Sequence, residues 1–101
     1  MADLQTVERL AAGDHHLAVI AVPREDGSVH ASVVSAGVRA DPLDGSPAVA
    51  LVAMGGSVKL TLLRRSGRAT VVFKDGFLWA AVAGRASFAS SDAVSSRRFL
   101  P

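Results

Sequence analysis

The sequence predicts a mainly β fold, a small closed or nearly closed antiparallel barrel with one N-terminal helix and a short helix after the third strand. Three observations predict it. Asp26-Gly27, Asp44-Gly45 and Asp75-Gly76 punctuate the apolar runs, and Asp-Gly marks hairpins because both turn residues accept positive φ. The run RATVVFK (68–74) alternates, with Ala69, Val71 and Phe73 on one face and Arg68, Thr70, Val72 and Lys74 on the other, which is the period of a half-buried strand. PAVALVAM (47–54) shows no such alternation, as a central strand covered on both sides of a barrel would not.

Each element follows in order. ADLQTVERLAAG places Leu4, Val7, Leu10 and Ala11 on one stripe, with Asp3 as N-cap and Gly13 as the residue that stops the helix. The period then changes to strands over LAVIAV (17–22), SVHASVVSAGV (28–38) and PAVALVAM (47–54). After the third strand, GGSVKLTLLRRSGR offers Ser57 as the N-cap of a short helix running to about Arg65. RATVVFK and FLWAAVAGRASF (77–88) complete the barrel, and Gly84 inside the latter marks a bulge or a sharp bend. The tail from about 90 to 101 is polar and weakly patterned, so the reading is one domain over 1–101 with a weakly structured end.

Composition bounds what such a barrel can be. A chain of 101 residues buries only about 60–68% of its unfolded surface. Half of it is apolar but 5% aromatic, so the core is built from Ala, Val and Leu, and a partner subunit is expected to supplement it. There is no cysteine, which excludes disulfides, a thiolate nucleophile and cysteine metal sites and suits a reducing cytoplasm. The longest apolar run, AVALVAM (48–54), is far below the ~20 residues that cross a bilayer, and no leader pattern precedes residue 17. No membrane partner is expected. A net charge of +2 and five aromatics in all speak against a nucleic-acid partner. His15, His16 and His30 do not have metal-ligand spacing, so no metal site and no catalytic triad are expected.

One lysine stands out. At about 100° per residue, Thr61, Arg64 and Arg65 share a polar side of the second helix, while Val58, Leu60, Leu62 and Leu63 cover the opposite arc with Lys59 in its middle. A cation in the first turn also opposes the helix dipole, by roughly 0.3–1 kcal/mol. An anion held at this helix start removes both conflicts, because Gly55 and Gly56 allow close backbone approach and Ser57, Lys59 and the free amides donate. The other role that fits is a lysine whose stem crosses its neighbours and whose head reaches water.

The succession helix, LAVIAVPREDGSVHASVV, third strand, GGSVKLTLLRRSGRATVVFKDGFLWAAVAGRASF resembles the split β-barrel flavin and deazaflavin oxidoreductases of the pyridoxamine 5'-phosphate oxidase-like superfamily, and most of all the actinobacterial branch that uses coenzyme F-420. The resemblance implies an FMN-binding split barrel-like fold and a Ser-x-Lys phosphate motif at Ser57 and Lys59. It implies ring contacts from Val33 and Val34 and a strand-end turn over Ala53, Met54, Gly55 and Gly56. It also implies a homodimer with the cofactor, F-420 or FMN, between the subunits, and hydride transfer to a small organic substrate. Where relatives continue with an asparagine and an aspartate-proline, this chain has Leu62 and Ser66-Gly67. Relatives also run on past residue 101, so an open barrel edge is expected unless a second subunit covers it. A non-catalytic split-barrel cofactor-binding protein is the alternative.

Overall fold

In the computed structural model, which describes residues 3–41, 45–54, 57–90 and 94–100, with the backbone alone for 52–54, 87–90 and 94–100, the opening segment forms helix α1 (Leu4–Gly13). The Asp3 carboxylate accepts from the Thr6 N–H at 2.8 Å, which satisfies one of the amides a helix start leaves open. Val7, Leu10 and Ala11 face inward. Gly13 is the last helical residue and not the stop, since Asp14 caps the end through its N–H to Ala11 O. The glycine answers a different need: a Cβ there would collide with the Asp75 carboxylate.

Six strands follow: β1 (Leu17–Pro23), β2 (Val29–Ala40), β3 (Pro47–Met54), then, after helix α2 (Val58–Ser66), β4 (Arg68–Asp75), β5 (Leu78–Ser90) and β6 (Val94–Leu100). All are paired antiparallel and close a barrel in the order β1-β2-β3-β6-β5-β4. Two Asp-Gly turns join neighbours as expected, with Gly27 at φ 89° and Gly76 at φ 64°. Asp44 of the third lies outside the described residues; Gly45 beside it has φ 75° and donates to Asp41 O at 2.7 Å.

The weakly structured tail and the open edge expected with it are corrected by β6. Its backbone pairs with β3 from Val49↔Phe99 to Met54↔Val94 and with β5 from Arg85↔Leu100 to Ser90↔Ser95. Ladder hydrogen bonds join backbone groups whatever the side chains, so a polar segment without alternation can still fill the gap between two apolar strands. Such a strand leaves no periodic signal.

Two strands change partner midway. β2 pairs with β1 over Val29–Ser35 and with β3 over Ala36–Ala40. β5 pairs with β4 up to Arg85 and with β6 beyond it. Gly84 sits beside that second handover, and the β4–β5 register runs through it unbroken, so it marks no bulge in that ladder. The barrel is thus two four-stranded sheets that share β2 and β5.

Inward positions fill the core with Ile20, Val22, Leu51, Val71 and Phe73, all nearly fully buried, while α1 and Leu63 of α2 join the same cluster. Ala48 and Val49 are adjacent and both buried, which matches the two-sided cover expected of β3.

Glu8 ties α1 to β2. Its Oε2 accepts from the Val38 N–H at 2.8 Å, and its Oε1 lies 3.1 Å from His16 Nε2. Burial pushes the Glu8 carboxyl up, but the Val38 and His16 hydrogen bonds outweigh it and leave the pKa below the ordinary 4.5. A carboxylate with a depressed folded pKa stabilises the fold above its unfolded pKa, and that stability is lost as pH falls through the folded value. Glu8→Gln should therefore cost on the order of 1 kcal/mol at neutral pH, the low end for charged hydrogen bonds because the side chain is partly solvated. The gap to wild type should narrow below about pH 4.5 in urea titrations; a gap independent of pH would exclude the ionised carboxylate as its source. Asp3, held low by the Thr6 N–H, and Asp26, held low by Ser28, lose their contributions in the same acid range.

Candidate functional site

The end of the barrel where β3 passes into α2 gathers the residues of interest. Because β2 runs antiparallel to β3, the start of β2 lies at this same end, and so do the end of β1 and the start of β4. Helix α2 packs across it against β1, β3 and β4. Ser57 is the N-cap, as predicted, and its Oγ accepts from the Leu60 N–H at 3.2 Å. That leaves its own proton available to a second acceptor. Leu60 and Leu63 are buried and hold the helix down, and Gly67 ends it in the left-handed conformation at φ 68°.

Lys59 is half-buried one residue inside the helix start. Among the described residues no hydrogen bond or ion pair engages its ammonium. The apolar arc around it is narrower than the 100° rule predicts, because Val58 is 60% exposed; at the first position of a helix the chain has not yet turned onto the barrel. Arg65 is engaged with Glu25 of the β1–β2 turn, which removes it from the cations free to meet a ligand.

Of the two ring-contact positions, Val33 and Val34, the structure leaves one. Adjacent strand residues point to opposite faces: Val33 points outward and is exposed, whereas Val34 is inside the core cluster, so Val34 cannot touch a bound ring. Ala53 and Met54 are at the end of β3, with side chains outside the described residues, as Gly55 and Gly56 are entirely.

Two polar atoms lie at this end, and of their residues Ser32 was passed over by sequence reasoning. His30 Nδ1 and Ser32 Oγ are buried without a hydrogen-bond partner among the described residues. Both belong to the inward face of the half of β2 that has no β3 partner. Buried polar atoms are nearly always paired, so this pair asks for a donor or acceptor that the described residues do not supply. Arg85 is the other omission. It faces Arg68 directly across the β4–β5 ladder, an arrangement of like charges that is unfavourable by itself, and the two line a hollow of about 590 Å³ with Ser66 and Gly67. The signal for Arg85 needed the register.

No family model and no curated protein matches the chain. Its fold is shared, however. It is similar to the protein Atu2129 from Agrobacterium tumefaciens str. C58, described as of unknown function, with a TM-score of 0.66 at 14% identity over 98% of this chain and 55% of that one. This chain therefore spans just over half the length of that protein, and the likeness is one of fold alone. Among the described residues there is no cluster that could hold a metal ion and no helix long and apolar enough to cross a membrane. What the barrel end offers chemically is cationic and hydrogen-bonding capacity.

Proposed function

We propose that the chain is a split-barrel cofactor-binding subunit of an oxidoreductase, holding a phosphate-bearing deazaflavin of the F-420 type and passing hydride between it and a small organic acceptor. The same reading admits FMN as the cofactor. What supports it most is the unsatisfied polar set at one end of the barrel: Lys59 without a partner in the first turn of α2, with His30 Nδ1 and Ser32 Oγ unpaired on the uncovered half of β2. Phosphate is well suited to a helix start, where amides and a lysine converge. The partner change in β2 supports the split-barrel type. In such a protein the cofactor supplies the hydride chemistry, and the chain supplies position and electrostatics. Ser57, Lys59 and the outward Val33 remain as contacts of this reading, within a homodimer.

Fluorescence titration with the deazaflavin and with FMN tests it. Micromolar binding of one of them is expected, and Lys59→Ala should weaken it by about 1.5–3 kcal/mol, the range for a hydrogen bond to a charged group. Binding of neither ligand would replace the enzyme by a non-catalytic barrel. Binding that is indifferent to Lys59 would move the phosphate elsewhere, with the Arg68–Arg85 hollow as the next place to examine.

A further inference from the structure

Arg68 and Arg85 stand opposite each other on the outward side of β4 and β5. Directly opposed residues on one face of a sheet are about 4.5–5.5 Å apart at Cβ, and like charges so placed destabilise the pair. Nothing described in the fold relieves it. Neither guanidinium has a hydrogen bond or an ion pair among the described residues. The carboxylates of the neighbouring β1–β2 turn are committed elsewhere, Glu25 to Arg65 and Asp26 to the Ser28 N–H and hydroxyl. Both arginine backbones are held in place. Ser66 Oγ accepts from the Arg68 N–H and donates to the Arg68 carbonyl, and the Ala86 N–H, next after Arg85, donates to Gly67 O. Two unneutralised guanidinium forks rising from one side of a fixed ladder suit an oxyanion, which each grips with paired N–H groups.

The surface beside them selects what carries that anion. The hollow that the arginines line adjoins a second one, of about 340 Å³, walled by Ala21, Pro23, Val29, Thr70 and Ala83, with Arg68 and Ala83 bordering both. Apart from Arg68, that second lining carries one hydroxyl and no charge. Its volume lies within the ~300–1,000 Å³ of small-molecule sites, which are mostly apolar with a few polar groups that fix orientation. We propose that the chain has a second small-molecule site here, for an organic anion with an apolar body. The carboxylate or phosphate of the ligand lies between Arg68 and Arg85, and its body fills the hollow between Ala21 and Ala83. This site is separate from the start of α2: from Lys59 to the cap at Gly67 the helix axis covers about 12 Å.

The inference goes beyond the proposed function and does not rest on it, since no flavin enters its binding test. Isothermal titration of the full chain compares cinnamate, phenyl phosphate, inorganic phosphate and the uncharged cinnamamide. Cinnamate or phenyl phosphate should bind, and cinnamamide and inorganic phosphate should each bind roughly tenfold more weakly or worse. Cinnamamide as tight as cinnamate overturns the proposal by removing the arginines from it, and inorganic phosphate as tight as phenyl phosphate overturns it by removing the apolar hollow. Arg68→Gln and Arg85→Gln should each weaken the preferred anion roughly tenfold or more, with a urea midpoint at or above that of wild type because the repulsion is gone. A lower midpoint in both would mean that the fold itself uses the pair, against the proposal. Ala83→Leu, which fills the hollow and leaves both arginines, should weaken phenyl phosphate and leave inorganic phosphate unchanged; an equal effect on the two counts against it. Flavin titration of Arg85→Gln separates this site from the cofactor reading. Flavin affinity lost there as in Lys59→Ala would give the hollow to the cofactor and end the proposal, whereas anion binding by a chain that takes up neither flavin keeps the site and removes the cofactor.

Discussion

Phe73→Ala is expected to cost about 3–5 kcal/mol of folding free energy, the range for truncating a buried ring. The side chain has no exposed surface and is on the inward face of β4 with Ala69 and Val71. Its cross-strand neighbours are Ala18 on β1 and Ala80 on β5, and the helix above is α1, which packs on β4. Alanines on both sides cannot reach into the space a ring vacates, so the cavity stays open and its cost is added to the lost transfer energy, at about 24 cal/mol per Å³. A domain of this size has roughly 5–15 kcal/mol in total, so the variant should lose about a fifth of its stability or more. Urea unfolding at fixed protein concentration is the check, with the midpoint falling and the slope unchanged. A loss under 1 kcal/mol would mean that α1 does not seal this part of the core. Phe73→Leu, which keeps much of the volume, should cost a fraction as much.

Phe73 also illustrates what was legible before any coordinates. The alternation in RATVVFK assigned its inward face, and burial of Ala69, Val71 and Phe73 follows that assignment. The first five strands, both helices, the N-caps Asp3 and Ser57 and the turns at Gly27 and Gly76 were legible for the same reason: each is specified by side chains within a few residues of one another. β6 was not, because its place is determined by backbone groups that β3 and β5 leave open, and those are far away in the chain. Gly84 was readable as an irregularity, but the partner change beside it was not.

The candidate site divides along the same line. Ser57 as cap and Lys59 as a cation in the first turn of α2 were readable from local helix geometry. That Val34 is core was recoverable from strand alternation, since Val33 and Val34 cannot share a face. The unpaired His30 Nδ1 and Ser32 Oγ, the opposed Arg68 and Arg85, and the engagement of Arg65 by Glu25 depend on which strand or turn is opposite. Pairing partners are what a single sequence conceals.

Leu63→Ala is the substitution that should connect the fold to the site. Leu63 is fully buried in the core cluster and its carbonyl accepts from the Gly67 N–H at 2.8 Å, so it anchors both the middle and the end of α2. Truncation should cost about 2–5 kcal/mol. Lys59 is four residues earlier, one turn up on the same face, and the stem of a half-buried lysine packs along the residue below it. With Leu63 shortened, the helix loses its anchor in the core, and on the proposed reading flavin affinity should fall along with stability. Lys59→Ala should behave differently, with a change in stability within about 0.5 kcal/mol and its effect confined to binding. Urea unfolding and flavin titration on the two variants separate the roles: a Leu63→Ala protein that binds as tightly as wild type would show that α2 does not position the ligand, even if the stability loss is as large as expected.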